Sequence, residues 1–110
     1  MSHPFHVYGA ALGLVAGLRP VLGELAKSDR SLADQLRRAA SSVVLNIAEG
    51  NRRAGRDRLQ FFRIAAGSAA EVRAALEGAR AWGMVEATPE AEAELDRVLG
   101  MLWKLTHRRG

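Results

Sequence analysis

The stretch from Ser42 to Ser68 reads SVVLNIAEGNRRAGRDRLQFFRIAAGS, and its reading decides the fold. An apolar helical pattern runs through Val43 and Ile47 to Ala48-Glu49 and stops at Gly50. Four arginines, Arg52, Arg53, Arg56 and Arg58, follow within seven residues, and a second apolar pattern starts at Leu59. One short hinge therefore joins two core helices and carries the densest positive charge in the chain. Gly50 suits a helix terminus in the left-handed conformation, which costs glycine little.

Upstream of the hinge, Leu32, Leu36, Ala39, Val43 and Ile47 predict a helix over about residues 30–49, with Ser28-Asp29 as its cap. Before it, Val7, Ala11, Leu14, Leu18, Val21 and Leu25 predict a first helix over about residues 6–27. Pro20 lies inside that pattern, so a kink or short break is expected near Arg19. Downstream, Leu59, Phe62, Ala66, Ala69, Val72 and Leu76 predict a third helix from about Asp57 to Trp82, closed by Gly83. Thr88-Pro89 then caps and opens a fourth, with Ala91, Leu95, Val98, Leu102 and Leu105 inward. No strand-like alternation, repeat or low-complexity linker intervenes. The fold class is all-α: an antiparallel up-down four-helix bundle with short loops, forming a single domain over residues 1–110.

Composition agrees with that reading. A chain of 110 residues, 48% apolar and 25% charged, can bury a core without disulfides or metal. Cysteine is absent, which excludes a disulfide framework, a thiolate metal site and a thiol nucleophile. A reducing cytoplasm is the simplest compartment. The apolar run over residues 7–18 falls short of the ~20 residues that span a bilayer, ends at Arg19-Pro20 and lacks a preceding basic segment. It reads as a core helix, with no membrane role expected.

A search for catalytic groups finds no reason to expect an enzyme, a cofactor or a metal. A di-iron bundle needs Glu-x-x-His pairs, whereas Arg52 stands three residues after Glu49. His3, His6 and His107 lie near the chain ends, and Ser41, Ser42 and Ser68 have no histidine nearby to activate them. Glu77 is spaced for ordinary surface pairing with Arg73 or Arg80. Glu49 ends a helix whose dipole disfavours an anion, so Arg52, Arg53 and Arg56 are its expected partners. Together they fix the hinge or, with Asn46, shape a pocket or subunit contact.

Gly9, Gly13 and Gly17 recur every fourth residue on the first helix, each at a cost of roughly 1 kcal/mol relative to alanine. Such a row permits close approach of another backbone. It packs either against the small residues Ala65 to Ala75 of the third helix or against another subunit.

Fourteen of the 16 basic residues are arginine, whose planar fork of donors suits phosphate and carboxylate, although GC-rich codon usage gives the same bias. From Arg37 to Arg63 seven arginines (Arg37, Arg38, Arg52, Arg53, Arg56, Arg58, Arg63) stand against Glu49 and Asp57, a local charge of +5 beside +4 for the whole chain. The concentration fits either a solvated loop or binding to RNA or DNA phosphates. Aromatic platforms for single strands look weak, so recognition by charge with little base reading is expected. Phe61 and Phe62 cannot both face inward on one helix.

Ser42-Val-Val-Leu-Asn46-Ile-Ala-Glu49-Gly50, then Arg53, Phe62-x-x-Ala65-x-Gly67-Ser68 and Glu71 resemble the bundle family of proteins encoded in 23S rRNA intervening sequences. That family includes the accessory variability determinant of diversity-generating retroelements. Leu32-x-x-Gln35-Leu36-x-x-Ala39 fits the same pattern, and the likeness covers roughly residues 8–107. The resemblance implies a homopentameric ring, structural roles for Asn46, Glu49, Gly50, Gly67 and Ser68, and an interface use for the row Gly9, Gly13 and Gly17. Its retroelement branch implies nucleic-acid binding and a reverse transcriptase partner. Asn51, where the family often has an aromatic, and the denser arginines are departures in the hinge. The expected function is a non-enzymatic oligomeric bundle binding nucleic acid through the seven arginines; the alternative is an adaptor ring for a protein such as a reverse transcriptase.

Overall fold

Asp29 is the one residue between the first two helices, and its chemistry explains the turn. Its backbone is extended, and its carboxylate accepts a hydrogen bond from Leu32 N at 2.9 Å, satisfying a free donor of the second helix. The computed structural model describes residues 4–107, with side chains from His6 onward. Four helices follow one another: α1 (Pro4–Ser28), α2 (Arg30–Asn51), α3 (Gly55–Ala81) and α4 (Pro89–Thr106). Each packs on its sequence neighbours, and α4 closes the ring on α1, while the diagonals scarcely touch.

Paired contacts fix the directions. A side chain on Gly17 would meet Ala91 and one on Gly13 would meet Glu94, so α1 and α4 are antiparallel. Ser42 bonds Ser68 while Gly50 meets Phe62, so α2 and α3 run oppositely as well. Arg80–Glu92 and Arg73–Asp96 give the same sense for α3 and α4. The bundle measures 45 × 23 × 19 Å, which puts the α2–α3 hinge, the start of α1 and the end of α4 together at one end.

The helical stripes converge on one continuous core. Val7, Leu14, Leu18, Leu25, Leu36, Val43, Ile47, Val72, Val98 and Leu102 are fully buried, and Phe62 is the largest side chain inside. Among the described residues no polar or charged side chain is buried. Among the described residues only α1 has a stretch, His6–Ser28, long and apolar enough to cross a bilayer; its apolar side lies inside the bundle.

Five local expectations change. α1 runs without interruption through the exposed Pro20 rather than breaking near Arg19. Of the glycine row, Gly13 and Gly17 face α4, not the small residues of α3, which lies diagonally opposite. Arg73 and Arg80 cross to Asp96 and Glu92 on α4 instead of pairing with Glu77 along α3. The left-handed glycines among the described residues are Gly55 and Gly83, not Gly50. Gly83 completes a Schellman turn, donating to Arg80 O at 2.9 Å while Met84 N donates to Ala79 O at 2.9 Å. At α4 the Thr88 hydroxyl does not accept from the helix, although its carbonyl accepts from Glu92 N at 2.9 Å; its N–H and hydroxyl both donate to Glu92 Oε2, at 3.1 and 3.0 Å.

Candidate nucleic-acid interface

The hinge is three residues, Arg52 to Ala54, and its arginines divide by what they touch. Glu49 holds two of them, with Oε1 3.5 Å from Arg52 Nη1 and Oε2 3.1 Å from Arg53 Nη2. Arg53 also reaches Asp57 at 3.8 Å and lies 5.1 Å above the ring of half-buried Phe61, a cation–π contact. Arg58 turns back onto the preceding helix: Nε donates to Gly50 O at 3.1 Å and Nη2 to Asn51 O at 3.3 Å. A cation there satisfies orphan carbonyls and opposes the negative end of the helix dipole. Arg58 is thus committed to closing α2, a use the sequence reading did not foresee.

Arg56 differs. It is exposed and has no acidic partner among the described residues; Glu49, offered to it by sequence, takes Arg52 and Arg53 instead. Arg38 and Arg63 are likewise exposed and unpaired among the described residues, whereas Arg37 lies 3.6 Å from Asp34. The seven arginines do not form one cluster. Arg38 lies twelve residues from Gly50, about 18 Å along α2 at 1.5 Å per residue. Spacing nevertheless aligns them. Arg38 and Leu45 on α2 and Arg52 at its C-cap recur at sevens, as do Arg56 and Arg63 on α3, so each set shares one outward face. The side chain of Arg52 is 79% exposed despite its pairing. Such exposed pairs contribute little to stability and leave the charge accessible.

Between these basic faces runs the α2–α3 seam. Ser42 Oγ and Ser68 Oγ share a hydrogen bond of 2.8 Å, and Asn46 Nδ2 donates to Ser42 O and Oγ at 2.8 and 3.0 Å. Gly50 and Ser68 therefore serve the seam and Asn46 braces Ser42 beside it, whereas Glu49 serves the hinge. Gly67 serves neither: a side chain added there would meet nothing within 4 Å. On α1, Gly17 lies against the Ala91 backbone, Gly13 meets only the mobile end of Glu94, and Gly9 faces open space.

Apolar residues also reach solvent. Leu12 and Leu45, 46% and 64% exposed, edge a shallow α1–α2 groove of about 290 Å³ with Val15 and Val44. At the end opposite the hinge, an open groove of about 460 Å³ is edged by Glu24, Glu86 and Glu90, surroundings that repel phosphate. His3 lies outside the described residues, and among those described no three histidine, cysteine or acidic side chains converge to hold a metal. Sequence reasoning missed Trp103 and His107, whose rings stack at the hinge end; their spacing of four on α4 was the available signal.

Helix order, antiparallel packing and the basic hinge define an all-α four-helix bundle with its positive charge on the α2–α3 hairpin. The chain belongs to the 23S rRNA-intervening sequence protein family, whose model matches residues 5–104. It is similar in structure to a protein of unknown function from the S23 ribosomal protein family of Bacteroides thetaiotaomicron. The TM-score is 0.86 at 16% identity, over 96% of this chain and 98% of the other, a likeness that speaks for the fold alone. No curated protein sequence matches the chain.

Proposed function

We propose that the chain assembles with copies of itself, as a homopentamer, and binds RNA or DNA phosphates through the outward arginines of the α2–α3 hairpin. The observation that carries this reading is the exposure of Arg38, Arg56 and Arg63 without an acidic partner among the described residues. Arg52 adds a largely exposed side chain at the same hinge. Arginine binds phosphate through a fork of donors, and released counterions make such binding steeply salt-dependent. Arg58 and, in part, Arg53 are set aside, because their donors are engaged within the chain. No catalytic step is assigned.

Titration of labelled RNA and DNA between 50 and 200 mM salt tests it. Three or four phosphate contacts give a log–log slope of about −3. Affinity that is absent, or flat in salt, would overturn the proposal. Native mass measurement tests the pentamer, which a monomer at micromolar concentration would contradict.

A second reading, an adaptor ring that engages a protein such as a reverse transcriptase, is favoured by exposed Leu12 and Leu45. Under it, charging Leu45 (Leu45→Glu) abolishes partner or self-association and leaves nucleic-acid affinity low at every salt concentration.

A further inference from the structure

Two aromatic rings stand at the hinge end with no part in the core. Trp103 and His107, one turn apart on α4, stack with centroids 4.3 Å apart and planes 11° from parallel. The imidazole is held in place, its Nδ1 2.9 Å from Trp103 O and 3.1 Å from Thr106 Oγ1. An Nδ1–H donated to the Trp103 carbonyl fixes the ring over one face of the indole. Trp103 still keeps 61% of its surface exposed. Most of the Trp103 surface that His107 leaves uncovered therefore meets solvent.

Their position gives this surface a meaning. Because the helices alternate in direction, the end of α4 shares its end of the bundle with the arginine hinge. The Arg80–Glu92 and Arg73–Asp96 pairs set the α3–α4 register. Continued toward the hinge, that register sets Trp103 level with residues 66–69 at the middle of α3 and His107 level with residues 62–65, beside exposed Arg63; exposed Arg56 lies about 15–20 Å from the Trp103 level toward the hinge. Lys104, the next residue in the sequence, is exposed as well. An exposed indole near unpaired cations matches a ligand that presents aromatic faces and phosphates together. In a duplex the base faces are buried in the stack; in a single strand each base can leave its neighbours and stack on a side chain.

Resting on the nucleic-acid reading above, we propose that the ligand is single-stranded nucleic acid, with a base stacked on the exposed indole of Trp103, neighbouring phosphates on Arg63 and Lys104, and the strand running on to Arg56 at the hinge. His107 acts as a positioning residue that braces the indole from behind. The opposite end supplies a built-in comparison: Trp82 is 78% exposed in the α3–α4 connection, which also carries Glu86.

Single-tryptophan variants of the full chain test this, with Trp82→Phe leaving Trp103 and Trp103→Phe leaving Trp82. Each is titrated at low salt with single-stranded oligo(dT), single-stranded oligo(U) and a blunt DNA duplex. Both single strands are expected to quench Trp103 and spare Trp82, and the two arms show whether the 2′-hydroxyl matters. Trp103→Ala should weaken single-strand binding by about five- to a hundredfold and leave duplex binding unchanged. Its melting should match the parent, since the side chain is outside the core. Equal affinity for duplex and single strand, or single-strand affinity unmoved by Trp103→Ala, overturns the single-strand assignment while leaving phosphate binding intact. Binding to none of the three overturns both. A Trp103→Ala effect on native mass alone would assign the ring to a protein contact and likewise overturn the assignment.

Discussion

A Cβ placed on Gly50 would lie 2.5 Å from Cε1 and 2.7 Å from Cδ1 of Phe62. The Phe62 ring is 1% exposed and the largest buried side chain, so it has no open space to retreat into. Gly50 is therefore a packing glycine inside α2, and the α2–α3 seam is closed by a ring lying on bare backbone. Gly50→Ala gains ~1 kcal/mol of helix propensity and loses about 1–3 kcal/mol to overpacking. A net destabilisation of about 1 kcal/mol in urea unfolding is expected. In the Gly50→Ala background Phe62→Leu should cost less than in the parent, and additive effects in that cycle would show that the two residues do not compete for space.

Gly67 provides the opposite case. It lies on α3 with nothing within 4 Å of the position a Cβ would take. Gly67→Ala should raise stability by up to about 1 kcal/mol, because the added methyl meets only solvent and helix propensity decides the sign. A gain in melting temperature accompanied by a fall in native mass would place this glycine at a contact between copies.

The contrast between these two glycines shows what the sequence could and could not carry. Periodicity locates all four helices to within a few residues, because burial of one face imposes the spacing of Leu36, Val43 and Ile47 or Leu95, Val98 and Leu102 directly on the chain. Asp29 and Gly83 were legible for the same reason: cap and Schellman chemistry are local. Gly50 was assigned to left-handed backbone because its true constraint, Phe62, comes from the facing helix. Of the two uses offered for the row Gly9, Gly13 and Gly17, packing on α3 fails because helix order around the bundle is a tertiary fact. Pro20 misled because an exposed helix face tolerates a missing donor when the buried face holds the helix together.

Arg56 and Arg58 are two residues apart and should respond in opposite ways. Arg58 donates to the Gly50 and Asn51 carbonyls, so Arg58→Met should destabilise by about 1–2 kcal/mol through loss of charge-assisted bonds at a helix end. Arg56 touches no acid among the described residues, and Arg56→Ala should leave stability within about 0.5 kcal/mol of the parent. On nucleic acid the order reverses: Arg56→Ala should reduce the log–log salt slope by about 0.7–0.9, and Arg58→Met should leave it unchanged. Equal effects of both variants on slope and stability would erase the division drawn between them.

Glu92 gives an acid dependence. The Thr88 N–H and hydroxyl both stabilise its ionised form and, with help from Arg80, hold its carboxyl below the ordinary value of 4.5 against a partial desolvation penalty. The folded value is the lower one, so ionised Glu92 contributes stability at neutral pH. That contribution starts to fade below 4.5 and is lost as pH falls through the depressed folded value. Glu92→Ala should therefore destabilise at pH 7, with the difference from the parent shrinking under acid. A difference in unfolding midpoint that stays constant down to low pH would show that the carboxylate charge plays no part.

Pro20 is the remaining anomaly that stability can resolve. α1 continues for eight residues beyond it, yet proline has no N–H to offer the carbonyl of Ala16 and its ring crowds that turn. An interior proline costs about 3 kcal/mol relative to alanine, here offset by the buried contacts of Leu14, Leu18, Val21 and Leu25 on either side. Because Pro20 itself is exposed, Pro20→Ala removes the defect without disturbing the core. A stabilisation of about 1–3 kcal/mol is expected, the shortfall from the full cost reflecting the freer unfolded chain. Hydrogen exchange gives the finer readout, since restoring the donor should slow exchange over the α1 turn that contains residues 16–20. Unchanged stability and unchanged exchange would mean that α1 already accommodates the proline without cost.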